Sequence, residues 1–432
     1  MSVVSLRAAA TILLLSAPVL GSGCAVGHPD PCDIVLQRDA GERPDAPEIR
    51  RIKERTRVAS NPLPYLERLG WTWIGREAID HDHSYFDLAL QAAACMERRA
   101  PGNPDARLLR AHALVSMHRF SEGEAVARDL AARSPSWLAW AVLGDALMEQ
   151  GSLEEAAIHY QRMADDNPGS QSWSRAAHLR WLLGDRDGAM EAMARAAQAA
   201  DPRDARGAAW YRARLAHYAI EAGRPDEARR FADAALALVP DHPPALHARG
   251  MLALAEQRSQ DAVAPLRAAV AADPLPAYLW TLYEALIESG LEAEAMDVET
   301  RLLADGCGED PRSVALYLAA SGRDLERTVR LALAELDVRQ DPLTLDAVAA
   351  ALAAAGRIDE ARGYSRRALA HGTRAPRLAL HAAAIAAASG DACEAVERIE
   401  DATAMASGLL PSERRHLESL RVATARRHPP AG

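Results

Sequence analysis

His81-Asp82-His83 places three potential metal ligands at consecutive positions. Adjacent residues point in different directions on a helix, so the trio reads better as a polar, helix-ending turn. His112, His178 and His217 offer three imidazoles, enough in number for a zinc ion, but they lie far apart along the chain. The sequence contains no Gly-x-Ser-x-Gly, HExxH, P-loop or dinucleotide fingerprint, and no nucleophile stands beside an evident base. The chain therefore reads as a non-enzyme with no cofactor and no dedicated metal. The five cysteines, Cys24, Cys32, Cys95, Cys307 and Cys393, form no CxxC pair and are too few for a disulfide framework. Beyond Cys24 they read as buried, small apolar residues. A disulfide after export is open, with a connectivity that spacing does not give.

Cys24 belongs to an address. Arg7 precedes a mostly apolar run from Ala8 to Leu20, too short to span a bilayer and suited to a signal-peptide core. The run ends in Leu20-Gly21-Ser22-Gly23-Cys24, which resembles the lipobox of bacterial lipoproteins, with Gly21 where that motif prefers Leu. The resemblance implies cleavage of residues 1–23, lipidation of Cys24 and, with Ala25 next, an outer-membrane anchor facing the periplasm. The alternative is ordinary cleavage, a plain thiol at Cys24 and a soluble periplasmic protein. Residues 24–63 are expected to be the anchor cysteine and a flexible tether, since Pro29, Pro31, Pro44 and Pro47 interrupt them. Such a segment spans about 35 Å. The basic stretch from Glu48 to Arg57 reads as a solvated helix leading into the folded domain, with contact to anionic lipid as the other reading.

The elements that position everything else follow from composition. Alanine fills 94 of 432 positions, aromatics make up only 5%, and Lys53 is the one lysine. Alanine favours helices, whereas strands need β-branched and aromatic residues, so the chain is all-α. A net charge of −10 with dispersed arginine disfavours nonspecific nucleic-acid binding. A turn residue then recurs at Gly151, Gly184, Gly223, Gln257, Gly290, Gly322, Gly356 and Gly390, with equivalents at His118 and Ser84. A small residue follows five positions later, as at Ala89, Ala156, Ala189, Ala228, Ala262, Ala295, Ala361 and Ala395, where two crossing helices would touch.

The segment Ser136–Pro168 carries Trp140, Leu143, Gly144, Leu147, Ala156, Tyr160 and Pro168. These residues resemble the tetratricopeptide pattern W-x2-L-G-x2-Y…A-x3-F…P. The resemblance implies an α-solenoid, a right-handed superhelix of about ten helix-turn-helix repeats over residues 64–407, with a capping helix and tail over 408–432. Asp201-Pro202-Arg203-Asp204 is expected to widen a loop, and Asp305–Pro311 to break or bend the stack.

Tetratricopeptide proteins are binding scaffolds whose concave face is lined by the first helix of each pair. Aligned on the turns, Trp71, His112, Glu149, His178, Trp181, Trp210, His217, Glu221, His247, Trp280 and Glu284 fall on that face, with Asp145 and Met148 beside them. Trp73, Trp140 and Trp173 fall at the pattern's own packing position. The expectation is therefore an exported scaffold that assembles or organises a cell-envelope complex. It would capture a peptide or helix of a protein partner through aromatic burial, its acidic groove favouring Arg or Lys. The other reading is a metal- or small-ligand-binding periplasmic protein that uses the groove histidines.

Overall fold

The computed structural model describes residues 30–37, 46–80 and 82–427. Cys24, His81 and the expected signal peptide lie outside them. Two leading helices, α1 (Pro31–Leu36) and α2 (Pro47–Val58), precede ten pairs. Pair 1 is α3 (Leu63–Asp80) with α4 (Ser84–Arg99), pair 2 is α5 (Pro104–Ser116) with α6 (Phe120–Arg133), and pair 3 is α7 (Trp137–Glu149) with α8 (Leu153–Asp166). Pair 4 joins α9 (Ser170–Leu182) to α10 (Arg186–Gln198), pair 5 α11 (Ala205–Glu221) to α12 (Pro225–Leu238), and pair 6 α13 (Pro243–Ala255) to α14 (Ser259–Ala272). Pair 7 is α15 (Pro276–Glu288) with α16 (Glu292–Glu309), and pair 8 is α17 (Pro311–Ser321) with α18 (Leu325–Val338). Pair 9 is α19 (Pro342–Ala354) with α20 (Ile358–Leu369), and pair 10 is α21 (Pro376–Ser389) with α22 (Ala392–Ala404). Helix α23 (Pro411–Arg427) ends the described chain.

The local chemistry of each pair is as the repeat requires. The alanines five positions after the turns are all buried. Gly144 faces the Tyr160 ring so closely that a Cβ there would lie 2.5 Å from it. His118 and Gln257 take the left-handed conformation that glycine adopts at the other turns, with φ of 58° and 59°. Each therefore carries a side chain where the backbone prefers none. The loop after α10 is wide, as Asp201–Asp204 suggested. Residues 305–309 do not break the stack: α16 runs through them, and Pro311 sits at the start of α17.

The segment expected as a tether is ordered in part. Val35, Ile49, Ile52 and Lys53 are buried against Leu66, Leu69 and Trp73 of α3, and Cys32 is disulfide-bonded to Cys95 of α4. Pro31 and Pro47, which looked like tether residues, occupy helix N-termini, where the missing N–H costs nothing. Lys53 lies 5.5 Å from the Trp73 ring and donates to the Gln37 carbonyl at 2.8 Å. Cys95 is buried as expected and paired with Cys32, the disulfide that the sequence left open, whereas Cys393 departs from expectation as an exposed thiol.

The largest departure lies between distant pairs. The turn of pair 3 meets the loop between pairs 8 and 9: Gln340 donates its amide to the Glu149 carbonyl at 2.8 Å, and Arg339 reaches the Glu149 carboxylate at 3.1 Å. The turn of pair 4 meets the next such loop, where the Thr373 hydroxyl donates to the Leu182 carbonyl. The turn of pair 5 meets the end of pair 10, where Ser407 donates to the Ile220 carbonyl. Helix α23 continues the series, with Arg414 donating to the Leu254 carbonyl at 2.7 Å and Arg415 paired with Glu288. The array thus coils onto itself with an offset of five pairs, and one apolar cluster joins Leu147, Trp181 and Leu252 to Leu345 and Leu378. No described helix is long and apolar enough to cross a membrane.

Candidate functional site

The coiling decides which inward residues remain accessible. Trp280 is 3% exposed, beneath the Arg377 guanidinium at 4.4 Å and edge-on to Tyr317. Glu284 is buried and accepts from the Ser412 amide at 3.0 Å and from the Ser412 hydroxyl. Glu149 pairs with Arg339. Trp181 is 7% exposed and donates its indole N–H to Glu221 at 2.8 Å. His247 is buried between His217 and Tyr278, its Nε2 3.0 Å from the Thr281 hydroxyl. Trp71 and His112 pack on each other at 5.1 Å, both half-buried. The buried members of this set serve the fold and offer little surface to a partner, while Trp71 and His112 keep part of theirs. Burial raises the carboxyl pKa of Glu149, Glu221 and Glu284, which weakens them as fixed charges for a basic partner.

Trp210 differs, at 40% exposed. It stands on the rim of a cavity of about 380 Å³ between pairs 3, 4 and 5, lined by Asp145, Met148, Tyr160, Ser174, Arg175, His178, Met193, Trp210 and Arg214. Helices α7, α9 and α11 supply the inward wall. Their helical period puts Arg175 and His178 on one face of α9, and Trp210, Arg214, His217 and Tyr218 on one face of α11.

The polar atoms of this wall are not equivalent. Asp145 accepts both arms of Arg175, at 2.8 and 2.7 Å, and the Tyr160 hydroxyl at 2.8 Å. Its charge is therefore matched in place. His178 stacks at 6.1 Å on Trp181, which stacks in turn on Tyr218. Burial, then the charge of Arg214, hold His178 and His217 down to a pKa of about 4, so both are neutral near pH 7. Arg214 lies 5.2 Å from the Tyr218 ring centre and makes no ion pair with a described carboxylate.

His112, His178 and His217 thus lie in separate stacks, with His217 meeting His247, and no three His, Cys, Asp or Glu side chains among the described residues form a metal-binding group. Asp82 accepts from the Ser84 amide and hydroxyl, and His83 pairs with Glu77 at 3.1 Å, the arrangement of a turn. Sequence reasoning missed Arg214 and Arg175. A signal existed in the four-residue spacing Trp210–Arg214 along one helix face, but arginine is too common in this chain for the spacing alone to stand out.

Residues 108–171 and 213–277 match the sequence profile of the tetratricopeptide repeat. No curated protein sequence matches the chain. Among solved structures it resembles the hetero-tetramer of Cut9 and Hcn1 from the APC/C at 19% identity and a TM-score of 0.49, over 75% of this chain and 59% of that one. It also resembles a human IFIT1 dimer bound to PPP-AAAA, at 14% identity and a TM-score of 0.46, over 83% and 89% of the two chains. A third likeness is to YrrB, described as a tetratricopeptide protein with an unusual peptide-binding site, at 15% identity and a TM-score of 0.32, over 43% and 94%.

Proposed function

We propose that this chain, a tetratricopeptide repeat protein and so a scaffold for protein–protein interaction, captures a segment of a cell-envelope partner at the concave cavity of pairs 3 to 5. The observation that carries the reading is the exposure of Trp210 beside that cavity, when Trp181 and Trp280 are used inside the fold. An exposed aromatic on the rim of a concave, mixed-polarity pocket is the usual anchor of a partner-binding surface. We read the role as non-catalytic: the Ser174 hydroxyl in the wall donates to the Gln171 carbonyl and not to His178, and Asp145 is held by Arg175.

The expected export is part of the proposal. The apolar run ending at Cys24 supports an anchored protein facing the periplasm, and the Cys32–Cys95 pair supports an oxidising compartment. Membrane fractionation of Cys24→Ala tests the anchor: a variant that still sediments with membranes rules out lipidation.

The capture site is tested by affinity isolation from solubilised envelopes, with wild type and Trp210→Ala compared. Partner loss in Trp210→Ala at unchanged stability is expected. Retention of every partner would overturn the assignment.

A further inference from the structure

Four arginines within the coil meet carboxylates. Arg175 pairs with Asp145, Arg312 with Asp341, Arg339 with Glu335 and Glu149, and Arg377 with Glu413. Arg214, in the cavity wall, has no described carboxylate partner. A guanidinium cannot shed its proton, and an unmatched charge inside a fold is costly. The nearest acid along its helix, Glu221, accepts from the Trp181 indole, and its carboxyl is pushed upward by burial. The Tyr218 side chain packs against Arg214 and brings it no negative charge, since burial keeps the phenol protonated.

We infer that Arg214, in the wall of the cavity, receives one carboxylate of the captured segment, an Asp or Glu side chain, while an adjacent apolar side chain lies on Trp210. This rests on the capture reading above and gives the partner its chemistry: an acidic residue beside a bulky apolar one. A carboxylate there can accept two parallel bonds from the guanidinium and neutralise a charge that no described carboxylate matches. His178 and His217 add no positive charge, so the wall suits a single negative group. The acidic groove read from the sequence therefore gives way to a site with one free positive charge.

The probes are 3-phenylpropanoate and its neutral isostere 3-phenylpropanamide, titrated into the intact mature chain. Binding is read from the indole N–H resonance of Trp210, assigned with Trp210→Phe. The acid should bind at least about tenfold more tightly than the amide. Arg214→Gln should bring the acid down to the level of the amide, and Arg214→Lys should restore part of the preference. Native stability of Arg214→Gln, measured by urea unfolding, guards against a folding defect.

Equal affinity for acid and amide, a preference that survives Arg214→Gln, or no response of Trp210 to either probe would each overturn the inference. So would inorganic phosphate binding as tightly as the acid, which would make the cavity a general anion site. Acid and amide binding alike while Trp210→Ala still loses its partner would end this inference and leave the capture reading standing. Acid preference with full partner retention in Trp210→Ala would end the capture reading, and the carboxylate would then not be a partner contact.

Discussion

The Arg339 guanidinium lies 3.1 Å from the Glu149 carboxylate across a sequence separation of 190 residues, and 2.7 Å from Glu335 of α18, the helix that Arg339 caps. It is the charged rivet between two turns of the coil. Arg339→Met leaves two partly buried carboxylates facing each other. We expect a loss of about 3 kcal/mol, read from urea unfolding. Glu149→Gln combined with Arg339→Met should cost less than the sum of the single changes. Strict additivity would show that the two residues do not interact.

Gly184 and Gly290 share the left-handed backbone of a repeat turn, with φ of 79° and 73°. A Cβ on Gly184 would lie 2.1 Å from the Gly372 carbonyl oxygen, whereas one on Gly290 would meet open space. Gly290→Ala should therefore cost only the backbone term, about 1–2 kcal/mol. Gly184→Ala should cost clearly more, because it also pries pair 4 from the loop between pairs 9 and 10. Equal thermal shifts for the two variants would argue against contact between the coil turns.

Cys32 and Cys95 close a loop with a sequence separation of 63. A loop of that length gives about 4 kcal/mol of denatured-state restriction in the chain-entropy view. Reduction, or Cys32→Ser, should lower the unfolding free energy by up to that amount and free α1 from α4 while pairs 2 to 10 persist. Hydrogen exchange with and without reductant reads this directly, with faster exchange confined to α1, α2 and pair 1.

His178 and His217 titrate near 4 in the folded chain and near 6.5 when unfolded, because burial and Arg214 disfavour the imidazolium. Between those values the unfolded chain takes up protons that the folded chain refuses. Stability is therefore full above about pH 6.5 and falls as pH drops toward 4. The raised carboxyls of Glu149 and Glu221 act in the opposite sense and soften the loss at the acid end. The urea midpoint should be lower at about pH 5.5 than at about pH 7.5, and His178→Gln should flatten the slope.

The repeat was readable because its signals are local. A turn residue and a small residue five positions on report contacts within one pair, and even the left-handed His118 and Gln257 fell on the period. The concave site was readable only as a face. Trp280 is covered by Arg377 from pair 10, and Glu284 by Ser412, 128 positions on; no helical period encodes those meetings. The leading helices were hidden for another reason: α1 has six residues, and its Pro31 looks the same at a helix start as in a tether.

The five-pair offset has a consequence for synthesis. A simple solenoid can bury each pair against the one before it as the chain emerges. Here the turn of pair 3 waits for Arg339, 190 residues after Glu149, before it gains its partner. At usual elongation rates that interval is roughly 10–40 s. For that time the inner faces of Trp181 and Leu252, later joined to Leu345 and Leu378, stand open to other proteins. The completed coil closes a surface that the growing chain must display, so the nascent array is the state most in need of a chaperone.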